Sequence, residues 1–471
     1  MEVRRIPLLL ALLAMPLTAA ADDDDIRTLR AEVAQLRATY EKRIDALEQR
    51  LAQAEANATT AVSTATTAVT AAANAVSTAA NAEAAAATPP PTAPVGTNAF
   101  NPNVSLILSG LYSNLSKDPA GYGITGFHLP SAALGEVAPQ RGFGITESEL
   151  GLSANIDQLF YGAMNFAILP DNTVSTEEAF VQTTSLPQGL TLKAGRWFSG
   201  IGYLNEQHMH TWDFVDAPLA YDAFLGTQFN NDGVQLRWLA PTDTFVELGA
   251  ELGRGAAYPG TNRDKNGSSA SAVFAHIGGD VGASNNWRAG LSYLTTAPQD
   301  RQWNDINAMT GAPVTNSFTG SSRLWIADGV WKWAPNGNAT YTNVKLQGEY
   351  LRRTEAGSLI YDVAAAATPG SYAAAQSGWY VQSIYQFAPY WRVGVRTERL
   401  DGSVDYGVNN ATLLRPDYAP ARNTLMFDYS PSEFSRVRLQ FAQDKSRQGI
   451  TDNQIFLQYL MSLGAHGAHK F

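Results

Sequence analysis

The hydrophobic positions of the chain follow three different patterns. Residues 6–17 form one short, unbroken apolar run. Between residues 22 and 87, apolar residues recur in steps of three and four, which is the period of a helix. From residue 98 to the C-terminus they alternate with polar residues, which is the period of a strand. The sequence therefore predicts a helical segment followed by an all-β domain.

The first apolar run has the features of an export signal. Arg4 and Arg5 precede it, and the small residues Ala19, Ala20 and Ala21 follow it. A run of this length is too short to span a bilayer as a helix, for which about twenty apolar residues are needed. We expect a signal peptide over residues 1–21, cleaved after Ala21.

Residues 22–87 are predicted to form a periplasmic coiled coil. Ile26 and Leu29 begin a seam with charged flanks, and from residue 58 the chain repeats every seven residues with only Val and Ala at the seam. Such a thin seam is stable only when helices associate closely, so we expect a homotrimer joined through this stalk. The alternative for residues 58–87 is a low-complexity disordered spacer. A Pro-rich linker over 88–97 separates the stalk from the rest of the chain.

The alternating region, residues 98–471, contains short segments separated by turn residues. In the last segment, Ile455, Leu457 and Tyr459 lie on one face and Gln458 on the other, and the same face continues to the C-terminal Phe471. A terminal aromatic residue on an alternating strand is typical of outer-membrane barrels. The predicted strands lie near 104–113, 143–156, 159–169, 177–184, 190–197, 231–239, 245–253, 272–280, 287–295, 323–332, 340–350, 377–387, 391–400, 423–430, 434–445 and 453–463.

The lengths of the connections favour a membrane barrel over a soluble sandwich. Short turns such as 157–158 and 388–390 alternate with long segments such as 198–230, 296–322 and 351–376. Transmembrane barrels have short periplasmic turns and long extracellular loops, whereas a sandwich needs no such parity. We therefore predict an antiparallel transmembrane β-barrel of about sixteen strands that lies in the outer membrane and contacts its lipid. The N-terminal stalk is expected to lie in the periplasm.

Composition excludes several kinds of site. The chain has 471 residues and no cysteine, so disulfides and thiolate sites are impossible. The formal net charge of −10 argues against a nucleic-acid partner. No G-x-S-x-G or H-E-x-x-H motif is present, and Glu147 and Glu149 look like ordinary inward-facing strand residues. We expect neither an enzyme nor a cofactor.

A sixteen-stranded barrel is wide enough for an aqueous lumen, and its polar face supplies candidate lining residues. The predicted pore-lining residues are Arg237, Arg392, Arg396, Arg436, Arg438, Lys345, Glu247, Glu251, Glu349 and Glu398. Segment 198–230 is too apolar for an exposed loop, so we expect it to fold inward as a constriction. Its acids Glu206, Asp213, Asp216 and Asp222 would face arginines such as Arg392, Arg396, Arg436 and Arg438 and screen solutes by charge and size. The alternative is that these charges only satisfy one another.

Two histidines in this segment are candidate metal ligands. His208 and His210 are two residues apart, so in an extended segment their imidazoles share one side and could bind zinc or copper with a carboxylate. Only two such ligands are local, whereas tetrahedral sites need three or four. The alternative is a hydrogen-bonded or stacked histidine pair.

Parts of the sequence resemble known outer-membrane proteins. The signal peptide, the coiled coil, the strand count and the stretches EAFV at 178–181 and LPQGLTLKAGR at 186–196 resemble the phosphate-selective (O/P-type) porin superfamily. The stretches NEQHMHTWDFVDAPL at 205–219 and LGAHGAHKF at 463–471 resemble more closely a group of uncharacterised outer-membrane proteins labelled zinc-regulated or TonB-dependent receptors. This resemblance implies a trimeric porin. Inward carboxylates dilute the basic residues here, so phosphate specificity is not carried over.

Three functions are compatible with this sequence. The leading hypothesis is passive diffusion of small hydrophilic solutes or ions through a water-filled barrel. The second is a structural tether between the outer membrane and the cell wall, in which the stalk binds peptidoglycan. The third is zinc-linked uptake, with His208 and His210 as capture ligands.

Overall fold

The computed structural model describes residues 102–171, 173–413 and 417–464. The predicted signal peptide, coiled coil and Pro-rich linker, and the C-terminal residues after 464, lie outside the described residues. The strands are β1 (Asn103–Leu115), β2 (Gly142–Ile145), β3 (Ser148–Asn155), β4 (Phe160–Ile168), β5 (Val174–Thr183), β6 (Leu190–Phe198), β7 (Asn230–Leu239), β8 (Phe245–Gly253), β9 (Ala270–Val281), β10 (Asn285–Thr296), β11 (Arg301–Ile306), β12 (Pro313–Trp333), β13 (Asn343–Tyr361), β14 (Thr368–Ala388), β15 (Trp391–Asp405), β16 (Ala421–Ser432), β17 (Ser435–Lys445) and β18 (Asp452–Gly464).

Two short helices accompany the strands. They are α1 (Ser131–Val137), between β1 and β2, and α2 (Leu219–Leu225), between β6 and β7. Short 3-10 turns cover Pro119–Gly121, Pro187–Gly189, Met209–Thr211, Pro335–Gly337 and Gly407–Ala411. Among the described residues, none of the helices has the length and apolar content needed to cross a bilayer.

The strands form one closed antiparallel barrel. From β3 to β10 and from β12 to β18 each strand pairs with its neighbour along the chain, β10 pairs with β12, and the first and last strands close the circle through the register Ser105↔Gly464 to Leu115↔Gln454. β2 and β3 both pair with β1 and are separated only by Thr146 and Glu147, so together they occupy one strand position of the barrel wall, which we call a stave. β11 pairs only with the early part of β12, as a hairpin beside the barrel wall. The barrel therefore has sixteen staves, which confirms the predicted strand count.

Several strands are longer than the alternation of apolar residues predicts. β12, β13 and β14 continue into regions expected to be loops, 296–322 and 351–376, and β15 continues to Asp405, beyond its predicted end at 400. β13 pairs with β14 from Asn343↔Gln386 to Tyr361↔Thr368. This part of the loop prediction was wrong. The cause is visible on the outer face, where Arg323 and Arg352 replace apolar residues two positions beyond Trp325 and Tyr350. The outward pattern becomes polar there although the hydrogen-bonded ladder continues.

The outer face carries an apolar band between two rows of aromatic side chains. One row includes Tyr293 and Trp325, whose ring centroids lie 4.6 Å apart. The other includes Trp391 and Tyr429, also 4.6 Å apart. On β12 the band runs from Trp325 to Trp331, about 20 Å at 3.4 Å per residue. Exposed apolar residues fill the space between the rows, so the hydrophobic surface of this barrel faces outward.

Candidate functional site

The connection between β6 and β7 lies inside the barrel. We call residues 199–229 the lumen segment. All seven residues of α2, which belongs to it, are buried. Its apolar side chains pack against wall residues such as Leu351, Tyr380 and Leu400, and against Phe127 from the connection between β1 and β2. The main apolar core of the described barrel is therefore in its lumen, formed by the segment and the wall together.

Carboxylates on the wall bind the backbone of the lumen segment. Glu251 accepts hydrogen bonds from the Gly200 backbone N–H at 2.9 Å and from the Ser199 hydroxyl at 2.6 Å. Glu349 accepts from the backbone N–H groups of Tyr203 and Leu204, both at 3.1 Å. An irregular buried segment must find acceptors for its backbone N–H groups, because unpaired buried donors are costly. The inward carboxylates provide them.

Glu398 acts in the same way at α2. Its Oε2 accepts from the Leu219 backbone N–H at 2.5 Å, and Oε1 accepts from Arg396 and Arg422 at 2.7 and 3.0 Å. Arg422 also pairs with Asp216, its Nη1 lying 2.9 Å from Oδ2, and donates to the Ala217 carbonyl. Arg422 was missed at the sequence level, although its position on the inward face of β16 was a usable signal. It links the segment to the wall through several partners.

The acids of the lumen segment are paired with basic residues of the wall. Asp213 lies 3.0 Å from the Lys345 ammonium and 3.1 Å from the Arg392 guanidinium. Asp216 lies 2.8 Å from Arg396. Two further acids also have basic partners: Glu206 pairs with Arg237, and Asp222 lies 3.8 Å from Arg422.

These pairs determine the protonation of the two central acids. Burial alone would raise the pKa of Asp213, but Lys345 and Arg392 outweigh it and hold that pKa well below its usual value. Burial likewise opposes ionisation of Asp216, yet the guanidinium groups of Arg422 and Arg396 lower its pKa. Both acids are therefore negatively charged over the ordinary pH range, and both ion pairs persist.

Arg436 and Arg438 have a different partner from the one expected. Both donate to the backbone carbonyl of Trp212, at 3.2 and 2.7 Å. The hydrogen bonds that they donate to the lumen segment therefore go to a peptide carbonyl. Arg438 also lies 3.8 Å from Asp428 of the wall, and Asp213 is paired with Lys345 and Arg392.

All ten predicted lining residues lie on the lumen side of the wall, but they fall into two groups. Beside the lumen segment they are buried, and the structure favours mutual satisfaction of charges there rather than contact with water. This group is Glu251, Glu349, Arg396, Glu398 and Arg438. At the short-turn end they keep partial exposure. This second group is Arg237, Glu247, Lys345, Arg392 and Arg436.

Basic residues predominate at the short-turn end of the lumen. We define the basic ring as the six partly exposed, inward Lys and Arg side chains within three residues of a strand end at a short turn. These are Arg237, Arg288, Lys332, Lys345, Arg392 and Arg436. Side chains of Arg237, Lys345 and Arg392 remain 12%, 20% and 21% exposed. Two inward acids, Glu247 and Asp280, lie at the same level, and three more acids pair with members of the ring: Asp428 with Arg392, Asp213 with Lys345 and Arg392, and Glu206 with Arg237. The six basic residues therefore exceed these five acids by one positive charge.

The two histidines of the segment meet carboxylates of the wall. His208 Nδ1 lies 3.1 Å from Glu149 and 3.3 Å from Glu177, and its Nε2 lies 3.0 Å from Glu178. His210 Nδ1 lies 2.6 Å from Glu149. The imidazole rings are also stacked, with centroids 5.7 Å apart. The sequence places both histidines in one segment, but Glu149 looks there like an ordinary strand residue, because carboxylates thirty to sixty positions away give no local signal.

No profile of a known protein family matches the chain. Among solved structures, outer-membrane-expressed OmpT of Vibrio cholerae is similar with 12% identity, a TM-score of 0.48 and coverage of 78% of this chain and 99% of that one. The outer-membrane channel DcaP of Acinetobacter baumannii shows 11% identity and a TM-score of 0.45, covering 79% of this chain and 100% of that one. An anion-selective porin from Comamonas acidovorans shows 11% identity and a TM-score of 0.41, covering 77% and 99%.

One sequence relative is considerably closer. An uncharacterized protein of Aquifex aeolicus (strain VF5) is 30% identical over 414 residues, which cover 80% of this chain and 82% of that protein. The matched length is greater than that of the described barrel alone. The chain therefore belongs to the same protein family as this Aquifex aeolicus protein.

Proposed function

We propose that the protein is an outer-membrane porin in which the lumen segment leaves a narrow passage for small hydrophilic solutes or ions. The observation that carries the proposal is that the side chains of the barrel wall are arranged in the opposite way to those of a water-soluble protein. The apolar residues of the staves face outward between two aromatic rows, and the charged residues face inward. A closed barrel leaves no unpaired edge in lipid, and an outward apolar band of this kind is what a bilayer requires.

The parity of the connections supports an orientation. The short turns belong on the periplasmic side and the long connections on the extracellular side, by analogy with membrane barrels in general. The basic ring then surrounds the periplasmic mouth. Since the O/P-type porin resemblance also implies a trimer, a homotrimer is part of the proposal.

The basic ring gives the proposed passage a preference for anions. Opposite charges at a constriction raise the local concentration of the counter-ion and lower that of the co-ion. Six basic side chains stand beside five acids, Glu206, Asp213, Glu247, Asp280 and Asp428, which leaves an excess of one positive charge and favours chloride-sized and small carboxylate solutes over potassium. The passage is narrow, because the lumen segment buries the lining residues beside it.

The test is ion selectivity of the refolded full-length protein in planar bilayers. Under a potassium chloride gradient we expect a reversal potential of the anion-selective sign. The double variant Arg288→Gln/Lys332→Gln should reduce it, because both side chains belong to the basic ring. Arg352→Gln is the matched control, since this exposed arginine points outward from β13. An unchanged reversal potential in the double variant would contradict the assignment of selectivity to the basic ring.

A further inference from the structure

The carboxylates around His208 form a cluster that the porin function does not use. Glu147 lies between β2 and β3, Glu149 on β3 and Glu177 on β5. Each of these three residues and His208 offers one potential ligand atom, and the four atoms lie within 4.8 Å of one another. The donors thus come from two places on the wall and from the lumen segment. They converge on a single point.

The cluster has too little positive charge of its own. It contains the three carboxylates of Glu147, Glu149 and Glu177, and the basic groups that lie near them are the imidazoles of His208 and His210. In the described part of the chain, no lysine or arginine forms an ion pair with these three glutamates. When all three carboxylates are ionised, one negative charge is uncompensated even with both imidazoles protonated. Buried charge without a partner is strongly unfavourable.

Three buried atoms of the cluster also make no hydrogen bond of good geometry among the described residues, although two of them, His208 Nδ1 and Glu177 Oε2, lie 3.3 Å apart as an ion pair. They are Glu147 Oε1, Glu177 Oε2 and His208 Nδ1. Glu147 and Glu177 are only 6% and 8% exposed, so bulk water does not solvate them. A buried acceptor such as Glu147 Oε1 is costly unless a positive group binds it.

The surroundings have the arrangement of a second ligand shell. While Nδ1 of His208 faces Glu149 and Glu177, its Nε2 is next to Glu178 at 3.0 Å and Asn165 at 3.2 Å. A histidine ligand typically donates its other ring N–H to a carboxylate, which fixes the ring and its tautomer. His210 in turn donates to Glu149 at 2.6 Å. His208 therefore has the position of a metal ligand, and His210 is placed to support the ligand Glu149.

We propose that Glu147, Glu149, Glu177 and His208 bind one divalent transition-metal cation, which fastens the lumen segment to the barrel wall. The imidazole donor disfavours magnesium and calcium, which take oxygen ligands, and the carboxylates disfavour copper(I). Zinc and manganese(II) accept a mixed set of this kind. Donor atoms around zinc lie about 3.4 Å apart in a tetrahedron of 2.1 Å bonds, so small side-chain movements close the site.

The test is metal stoichiometry, which does not depend on whether the barrel conducts. Full-length protein in detergent is stripped with EDTA and titrated with zinc, manganese, magnesium or calcium. Bound metal is then measured by mass spectrometry after size exclusion. We expect the parent to bind one equivalent more zinc or manganese than the Glu147→Gln/Glu177→Gln variant, and no more magnesium or calcium than that variant. Zinc should raise the unfolding temperature of the parent but not that of the variant. The variant keeps His466 and His469, so binding by the C-terminal histidines is subtracted.

The control is His276→Gln. His276 forms a comparable pair with Glu247 at 2.9 Å in the same lumen, but belongs to no cluster of this kind. It should bind as much metal as the parent. Heat-modifiable migration on gels verifies that every variant contains a folded barrel. Equal metal content in the parent and the double glutamine variant would overturn the proposal, as would a parent that retains none. In either case the carboxylates are neutralised by shared protons instead.

Discussion

The ion pairs of Asp216 allow a quantitative test of how the lumen segment is held. Asp216 contacts Arg396 at 2.8 Å, Arg422 at 2.9 Å and the Gln440 amide at 2.8 Å. Asp216→Asn keeps the shape of the side chain and removes its charge. We expect the segment to remain in the lumen but to leave it more often, because its ion pairs with Arg396 and Arg422 are gone.

The size of the effect follows from burial and from the remaining partners. Removing one member of a buried pair typically costs about 3–5 kcal/mol. Here the cost is lower, because the Asp216 side chain is 23% exposed and Glu398 continues to neutralise both arginines. We expect about 1–3 kcal/mol, which corresponds to a roughly 5- to 150-fold larger population of the detached segment. The arginines themselves stay paired.

The assay is the fraction of time that single channels spend in a high-conductance state. Asp232→Asn is the matched control, since Asp232 forms a similar pair with Arg196 but both side chains are 39% exposed. Surface pairs contribute about 0–1 kcal/mol, so this variant should behave like the parent. If Asp216→Asn and Asp232→Asn give the same open fraction, the ion pairs of Asp216 do not hold the segment.

Two further predictions concern acidity and the backbone of the segment. Because the folded-state pKa values of Asp213 and Asp216 are lowered, their stabilising contribution is present above the ordinary carboxyl value of 3.8 and is lost as pH falls through the lowered values. The open fraction should therefore stay constant from neutral pH to about pH 4 and rise only below it; a rise centred near pH 6 would contradict this. Gly202→Ala should lower the unfolding temperature, because Gly202 has a φ of +68° and an added Cβ would lie 2.5 Å from Glu349 Oε2. An unchanged unfolding temperature would show that the wall can move there.

The barrel could be predicted from the sequence for a physical reason. Lipid outside and polar groups inside impose a period of two on every stave, so alternation revealed the sixteen staves. The same rule explains why loops were predicted where β12 and β13 continue as strands beyond the apolar band. At Arg323 and Arg352 the outer solvent changes from lipid to water, so the alternation ends while the strands continue.

Only part of the candidate sites could be predicted from the sequence. Alternation identified inward charges such as Arg396, and the apolar content of the lumen segment indicated that it folds inward. Which charges meet depends on how a long irregular segment crosses the lumen, and no local pattern encodes that path. Glu177 and His208 are 31 residues apart and meet only because β5 and the segment converge.

The most direct test of the central claim is the single-channel conductance of the full-length protein in planar bilayers, measured with its reversal potential under a salt gradient. A constricted porin with a basic periplasmic mouth should give small, discrete openings of anion-selective sign. It should also give larger openings in Asp216→Asn. A correctly folded barrel that remains silent in both proteins, or one that selects cations, would contradict the account.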